Sequence, residues 1–180
     1  GTADRVCKTA VIMPVESLWV QIYAGWAEGM LNVSEEIKPY DDDFDLLYKT
    51  LLKAHVDFDF ADEEMLDRLG SVEDGKLIIG KADYRRVIVP SMLTIRRSTL
   101  ETLKKFKENG GEVIFSGITP ILVDAEESDE AKDFSELCEK TAIEDLINLH
   151  DKTIISSEKI LIQTYKDENN KYCFLLNSDP

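Results

Sequence analysis

Histidine is nearly missing from this chain. His55 and His150 are its only two among 180 residues. No H-x-x-x-H or H-E-x-x-H spacing exists, so the common zinc sites have no ligand set here. A serine or cysteine nucleophile that needs a histidine base has almost nothing to draw on. Cysteine is scarce too. Cys7, Cys138 and Cys173 stand far apart, none belongs to a C-x-x-C pair, and the odd count argues against a disulfide framework. Cys7 and Cys173 read as small core residues in an early and a late strand. Basic residues are short: 21 Lys and Arg face 36 Asp and Glu, for a net charge of −15. Nucleic acids and anionic membrane surfaces select a basic face, so this balance argues against both as partners. The acidity reads most simply as solubility. No apolar run approaches the ~20 residues of a membrane span.

The richest stretch of pattern covers residues 74–118. It reads as strand, turn, strand, crossover helix, Gly-Gly stop, strand. VIVP (87–90) is β-branched without polar alternation, as a strand covered on both faces of a parallel sheet would be. Ser98 or Thr99 is placed to cap the next helix. Leu100, Leu103 and Phe106 form that helix's apolar stripe, with Lys104, Lys105 and Lys107 turned to water. Gly110 and Gly111 supply the helix stop, and residues 112–115 re-enter the sheet. Most right-handed βαβ units of open α/β sheets have this layout. The spacing predicts Val11, Ile12, Val87, Ile88, Val89, Val113 and Ile114 as the buried centre of parallel strands.

Other elements follow by pattern. Residues 9–14 read as the first strand, followed by a short helix and a structured loop that holds Trp19 and Trp26. The run Asp41, Asp42, Asp43 reads as the cap of a helix with the stripe Phe44, Leu47, Tyr48 and Leu51. With Asp45 it resembles the start of a calcium loop, but the required Gly and terminal Glu are missing. Residues 55–60 read as the second strand, and Asp62 as the cap of a short helix through Leu69. Residues 124–133 read as an acidic surface loop and 134–149 as helical. Residues 159–165 and 171–176 are β-rich runs around Asp167, Glu168, Asn169 and Asn170, a hairpin signal. That hairpin either leads into a further domain or adds an antiparallel edge to the main sheet.

The wording is more specific than the pattern. Y-x-x-V-I-V-P-x-M (84–92), then S-T-L-E-x-L-x-x-F-x-x-x-G-G-x-V-I-F-x-G (98–117), with VIMPVESLW (11–19) and LLYKTLLKAHVDFDFADEEML (46–66), resembles the glutamine-amidotransferase-like domain of multidomain glycoside hydrolases. The trimerisation-type domain of family 42 β-galactosidases and its counterpart in α-L-rhamnosidase-like enzymes are the relatives meant. The likeness covers roughly residues 8–124. It implies a flavodoxin-like three-layer α/β sandwich with a mostly parallel sheet, plus a C-terminal β-hairpin. It also implies an accessory role, because in that family the sugar chemistry sits on a separate (β/α)₈ barrel. A barrel needs about 250 residues, more than this chain has. YCFLLN (172–177) matches the opening strand of the β-sandwich that often follows in such enzymes. The chain begins at Gly1 without an initiator Met or signal peptide and reads as a piece of a longer protein. The division expected is 1–157 for the α/β domain and 158–180 for a hairpin leading into a missing β-sandwich.

Class I amidotransferases carry a Cys nucleophile on a sharp strand-to-helix turn, with a Gly two residues later. Aligning Gly117 with that glycine puts Phe115 at the nucleophile position, and a one-residue slip puts Ser116 there. Phe115, Ser116 and Gly117 therefore read as a degenerate elbow, and no catalytic residue is assigned. Receiver-domain and flavodoxin chemistry lack their markers, since Pro14, Val15 and Glu16 follow the first strand where an acidic pair or a phosphate loop would stand. Glu16, Trp19 and Trp26 remain as a candidate ligand or domain interface at the sheet's carboxyl edge. The tryptophans can equally be core. No cofactor or metal is expected. The partners implied are the parent's other domains, a second copy of the chain, or a carbohydrate. The competing readings are a stand-alone amidase- or glycosidase-type hydrolase and a carbohydrate-binding module.

Overall fold

The β-branched runs build the centre of the molecule. The computed structural model describes residues 3–19, 35–149 and 159–177. Its elements in chain order are β1 (Asp4–Arg5), β2 (Thr9–Ile12), α1 (Val15–Trp19), α2 (Lys38–Lys53), β3 (Phe58–Ala61), α3 (Glu63–Leu69), β4 (Gly70–Glu73), β5 (Lys76–Ile79) and β6 (Ala82–Tyr84). They continue with β7 (Arg86–Val89), β8 (Thr94–Ile95), α4 (Arg97–Glu108), β9 (Glu112–Phe115), β10 (Leu122–Val123), β11 (Glu126–Glu127), α5 (Glu130–Ser135), β12 (Glu139–Lys140), a 3-10 helix (Ile143–Asn148), β13 (Ile160–Lys166) and β14 (Lys171–Asn177).

Five strands pair in parallel in the order β12-β9-β7-β2-β3. Counted along the chain, the order is 2-1-3-4-5, consistent with a flavodoxin-like layered fold. One register row runs Phe60, Val11, Ile88, Ile114, Glu139 across the sheet. The seven residues predicted as the buried centre are fully enclosed and lie in β2, β7 and β9. Alternate residues serve opposite faces. Ala10, Ile12, Val87, Val89, Val113 and Phe115 share one apolar cluster with Leu66 of α3 and with Leu100, Leu103 and Phe106 of α4. Val11, Ile88 and Ile114 share another with Leu47 and Leu51 of α2 and with Ile143 and Leu146 of the 3-10 helix. Helices thus cover both faces, as parallel strands require.

The α4 stripe and its stop are as read. Gly110 stands at φ 89. A Cβ at Gly111 would lie 2.2 Å from the Phe106 ring, so only glycine fits there. The caps differ from expectation. Helix α4 starts at Arg97, so Ser98 and Thr99 lie inside its first turn and cap nothing. Helix α2 starts at Lys38 with Pro39 in its first turn, which places Asp41, Asp42 and Asp43 inside the helix. Asp62 does cap α3, accepting from the Glu64 and Met65 N–H groups at 2.9 and 3.2 Å.

Three segments depart further. Residues 70–84 form an antiparallel meander, β4-β5-β6, where one small strand was expected. Residues 124–149 hold β11, α5, β12 and the 3-10 helix in place of a loop and one long helix. The C-terminal hairpin does not extend the main sheet: β13 pairs with β1 in a separate antiparallel sheet, β1-β13-β14. Cys7 is buried as expected, whereas Cys173 is exposed on β14 because nothing covers that strand among the described residues.

Candidate functional site

The carboxyl ends of the parallel strands gather the groups of interest. In a 2-1-3-4-5 sheet the strand order reverses between β2 and β7, and loops leaving that point in opposite directions open a crevice. From β2 the chain enters α1, which carries Glu16, Ser17 and Trp19. From β3 it enters α3 through Asp62 and Glu63. From β7 it passes through Ser91 and β8 to Arg96 and the start of α4.

Much of the crevice is tied shut by protein groups. Ser17 Oγ donates to the Thr94 carbonyl at 3.2 Å and accepts from the Leu93 and Thr94 N–H groups at 3.0 and 3.2 Å. Ser91 Oγ donates to the Asp43 carboxylate and accepts from the Ile118 N–H at 2.7 Å. Gly117 lies under this knot at φ 106, where a Cβ would sit 2.1 Å from Ser91 Oγ. This glycine therefore serves close packing.

The elbow residues point inward. Phe115 is buried, its ring 6.0 Å from that of Phe134 in an edge-on contact. Ser116 is 1% exposed, and its Oγ has no hydrogen-bond partner among the described residues. His55 stands at φ 54 between α2 and β3, at the amino end of the sheet, while Ser116 follows β9 at the carboxyl end. His150 lies outside the described residues.

Beside the tied crevice is an open cleft of about 570 Å³, lined by Glu16, Thr94, Arg96, Arg97, Ser98 and their neighbours. Its rim is a tight hairpin turn at Asp124 and Ala125, both left-handed at φ 52 and 64. The turn is held because Asp124 Oδ1 accepts from the Arg97 N–H at 3.0 Å and the Ala125 N–H donates to Thr94 Oγ1 at 3.0 Å. Asp124 thus caps α4 from outside the helix. Arg97 also clasps both oxygens of Glu130 at 3.0 and 3.1 Å.

Under the cleft lies a carboxyl pair. Arg96 Nε donates to Glu16 Oε1 at 2.7 Å, and the Arg96 backbone N–H donates to Glu63 Oε1 at 3.1 Å. Glu63 is wholly enclosed. Burial pushes its carboxyl up to about 8, and the charge of Glu16 and a hydrogen bond with it push the same way, against the Arg96 N–H and the Thr99 hydroxyl. The enclosed site therefore favours the acid form of Glu63 well above the ordinary carboxylate range.

Of the residues singled out by sequence, Glu16 lines the cleft and Trp19 is 60% exposed on the same short helix. Trp26 lies outside the described residues. Phe115, Ser116 and Gly117 sit at the end of β9, and Phe115 belongs to the core. Sequence reasoning missed Glu63, Arg96 and Asp124. An acid in the first turn of a helix ordinarily stabilises the dipole from the surface, so nothing in the sequence marked Glu63 as enclosed.

Comparison with known protein families and with curated proteins gives no match. Among solved structures, the chain is similar to a catalytic mutant of a GH42 β-galactosidase from G. stearothermophilus at 18% identity and a TM-score of 0.46, over 69% of this chain and 15% of that one. A β-galactosidase from Bacillus circulans sp. alkalophilus gives 22% and 0.46 over the same shares. A GH42 exo-carrageenase from Bacteroides ovatus gives 12% and 0.45, over 88% of this chain and 22% of that one. This chain therefore spans about one seventh of the two β-galactosidase chains, and its likeness is to one small part of each.

Proposed function

We propose that this chain is a non-catalytic accessory or oligomerisation domain of amidotransferase-like type within a larger carbohydrate-active glycoside hydrolase. The observation that carries the reading is the burial of Phe115 and Ser116. A nucleophile must meet its substrate, and here the elbow position is occupied by a core aromatic ring and the neighbouring hydroxyl is enclosed. The sequence resemblance supplies the family. Strand β14 supplies a second support: it is exposed along all seven residues, with Tyr172, Phe174 and Leu176 on one face and Cys173 and Leu175 on the other. Apolar side chains on both faces of a strand ask for cover on both. A following domain of the parent would provide it.

The isolated chain, assayed with aryl glycosides and with glutamine, should give no turnover above buffer. Saturable turnover that disappears in Ser116→Ala would overturn the reading in favour of a stand-alone hydrolase.

Exposed Trp19, three residues along α1 from the cleft residue Glu16, favours one second reading, a carbohydrate-binding module, because indole faces stack on sugars. Titration of the tryptophan emission with galactose, rhamnose and their oligomers tests it. A saturable change lost in Trp19→Ala would support binding, and a flat titration would remove this reading.

A further inference from the structure

We propose that Glu16 and Glu63 share a single proton, and that this proton is a removable pin joining α1, α3 and the start of α4 beneath the cleft. Hydrogen-bond supply around the two carboxyls is short of one donor. Arg96 takes up one oxygen of each carboxyl: its side chain reaches Glu16 Oε1 at 2.7 Å and its backbone N–H reaches Glu63 Oε1 at 3.1 Å. The two remaining oxygens, Glu16 Oε2 and Glu63 Oε2, are enclosed and close no hydrogen bond among the described residues, with the Thr99 hydroxyl, likewise unpaired, standing as a further donor beside Glu63. Two acceptors facing each other in an enclosed space repel, and one proton turns the repulsion into a charge-assisted hydrogen bond. The acid form of Glu63 donates, and the ionised Glu16 accepts while it pairs with Arg96.

The surrounding charges point the same way. Among the described residues, Glu16 faces the pair from α1 and the Arg96 guanidinium from the joint before α4. Thr99, in the first turn of α4, adds a buried hydroxyl. Asp62, next to Glu63, is committed to capping α3. With the proton in place, Glu16, Glu63 and Arg96 sum to zero. Without it, one negative charge is left enclosed. A metal ion could also bring the two oxygens together, but the guanidinium on Glu16 disfavours a second cation there. Glu16 and Arg96 also wall the cleft, so loss of the proton loosens the wall that any cleft ligand would meet. This device does not depend on the accessory-domain reading.

A carboxyl raised from its ordinary value of 4.5 to about 8 stabilises the fold fully below the lower value, and the contribution is lost as pH rises through the upper one. The test compares the thermal midpoint of the wild-type chain with that of Glu63→Gln from about pH 5 to pH 9. Gln keeps the donor and cannot titrate. The wild-type midpoint should fall relative to the variant as pH rises toward 8 and run parallel to it above. Carbon-detected NMR of the glutamate carboxyls gives a second reading that needs no variant, and one glutamate should remain protonated at pH 7. Parallel pH profiles, a spectrum with every glutamate ionised at pH 7, or stabilisation by added calcium that vanishes in Glu63→Gln would each overturn the proposal.

Discussion

Ala125 holds a left-handed backbone that an alanine adopts at a cost of about 1 kcal/mol or more. Its neighbour Asp124 does the same, and Asp124 has a reason: its carboxylate caps α4. Ala125 contributes only its N–H, which glycine would keep. Ala125→Gly should therefore raise stability by about 0.5 kcal/mol in urea denaturation, after allowance for glycine's freer unfolded chain. A clear loss would mean that the Ala125 methyl group packs usefully. At this scale the sequence revealed position better than environment. Glu16 was placed at the carboxyl edge because it follows a clear strand. Glu63 and Arg96, which complete its surroundings, lie 47 and 80 positions away in sequence, and no local signal links them. The same holds for Asp124, whose role as a cap depends on a turn folding back onto Arg97.

Among the elements, strands were legible where burial on two faces demanded β-branched residues, as in β2, β7 and β9. Strand β12 was not. It consists of Glu139 and Lys140, both exposed, and it joins the sheet through backbone groups alone. The hairpin was legible from its turn, where Asp167 Oδ1 accepts from the Asn169 and Asn170 N–H groups at 2.8 and 2.7 Å. Its packing was not, because the link to β1 rests on two residues and on distant charges. Arg5 pairs with Asp57 and with Asp59, Tyr84 donates to Asp59 at 3.1 Å, and the Thr164 N–H donates to Asp57 at 3.3 Å. Burial pushes the nearby Cys7 thiol up to about 12, so it stays protonated and inert. Arg5→Ala would leave two half-buried carboxylates without their cation. Amide exchange should then quicken across β13 and β14 while α4 and β7 stay protected. Uniform quickening would show that the hairpin sheet and the α/β body unfold as one unit. Even in the wild type, β14 should exchange much faster than β7, since a hairpin with one open edge and little cover is marginal in water.

At the scale of the whole molecule, the described residues form an α/β body with a two-sided core and a small antiparallel sheet attached at β1. The body is self-sufficient by the usual measure: strands covered by helices on both faces, with apolar stripes that match the sheet's alternation. The attached sheet is not, because β14 shows apolar side chains on both faces and a free edge among the described residues. An uncovered strand next to a closed body is what a domain lifted from a larger chain would show, and this contrast supports the functional proposal beside the burial of Phe115 and Ser116. The most direct test is the size of the native polypeptide, read from its open reading frame or by mass spectrometry of the protein from its source. The account predicts a chain far longer than 20.4 kDa, with a (β/α)₈ domain of about 250 residues bearing two placed carboxylates. A native polypeptide of this chain's own size, folded and active alone, would contradict it.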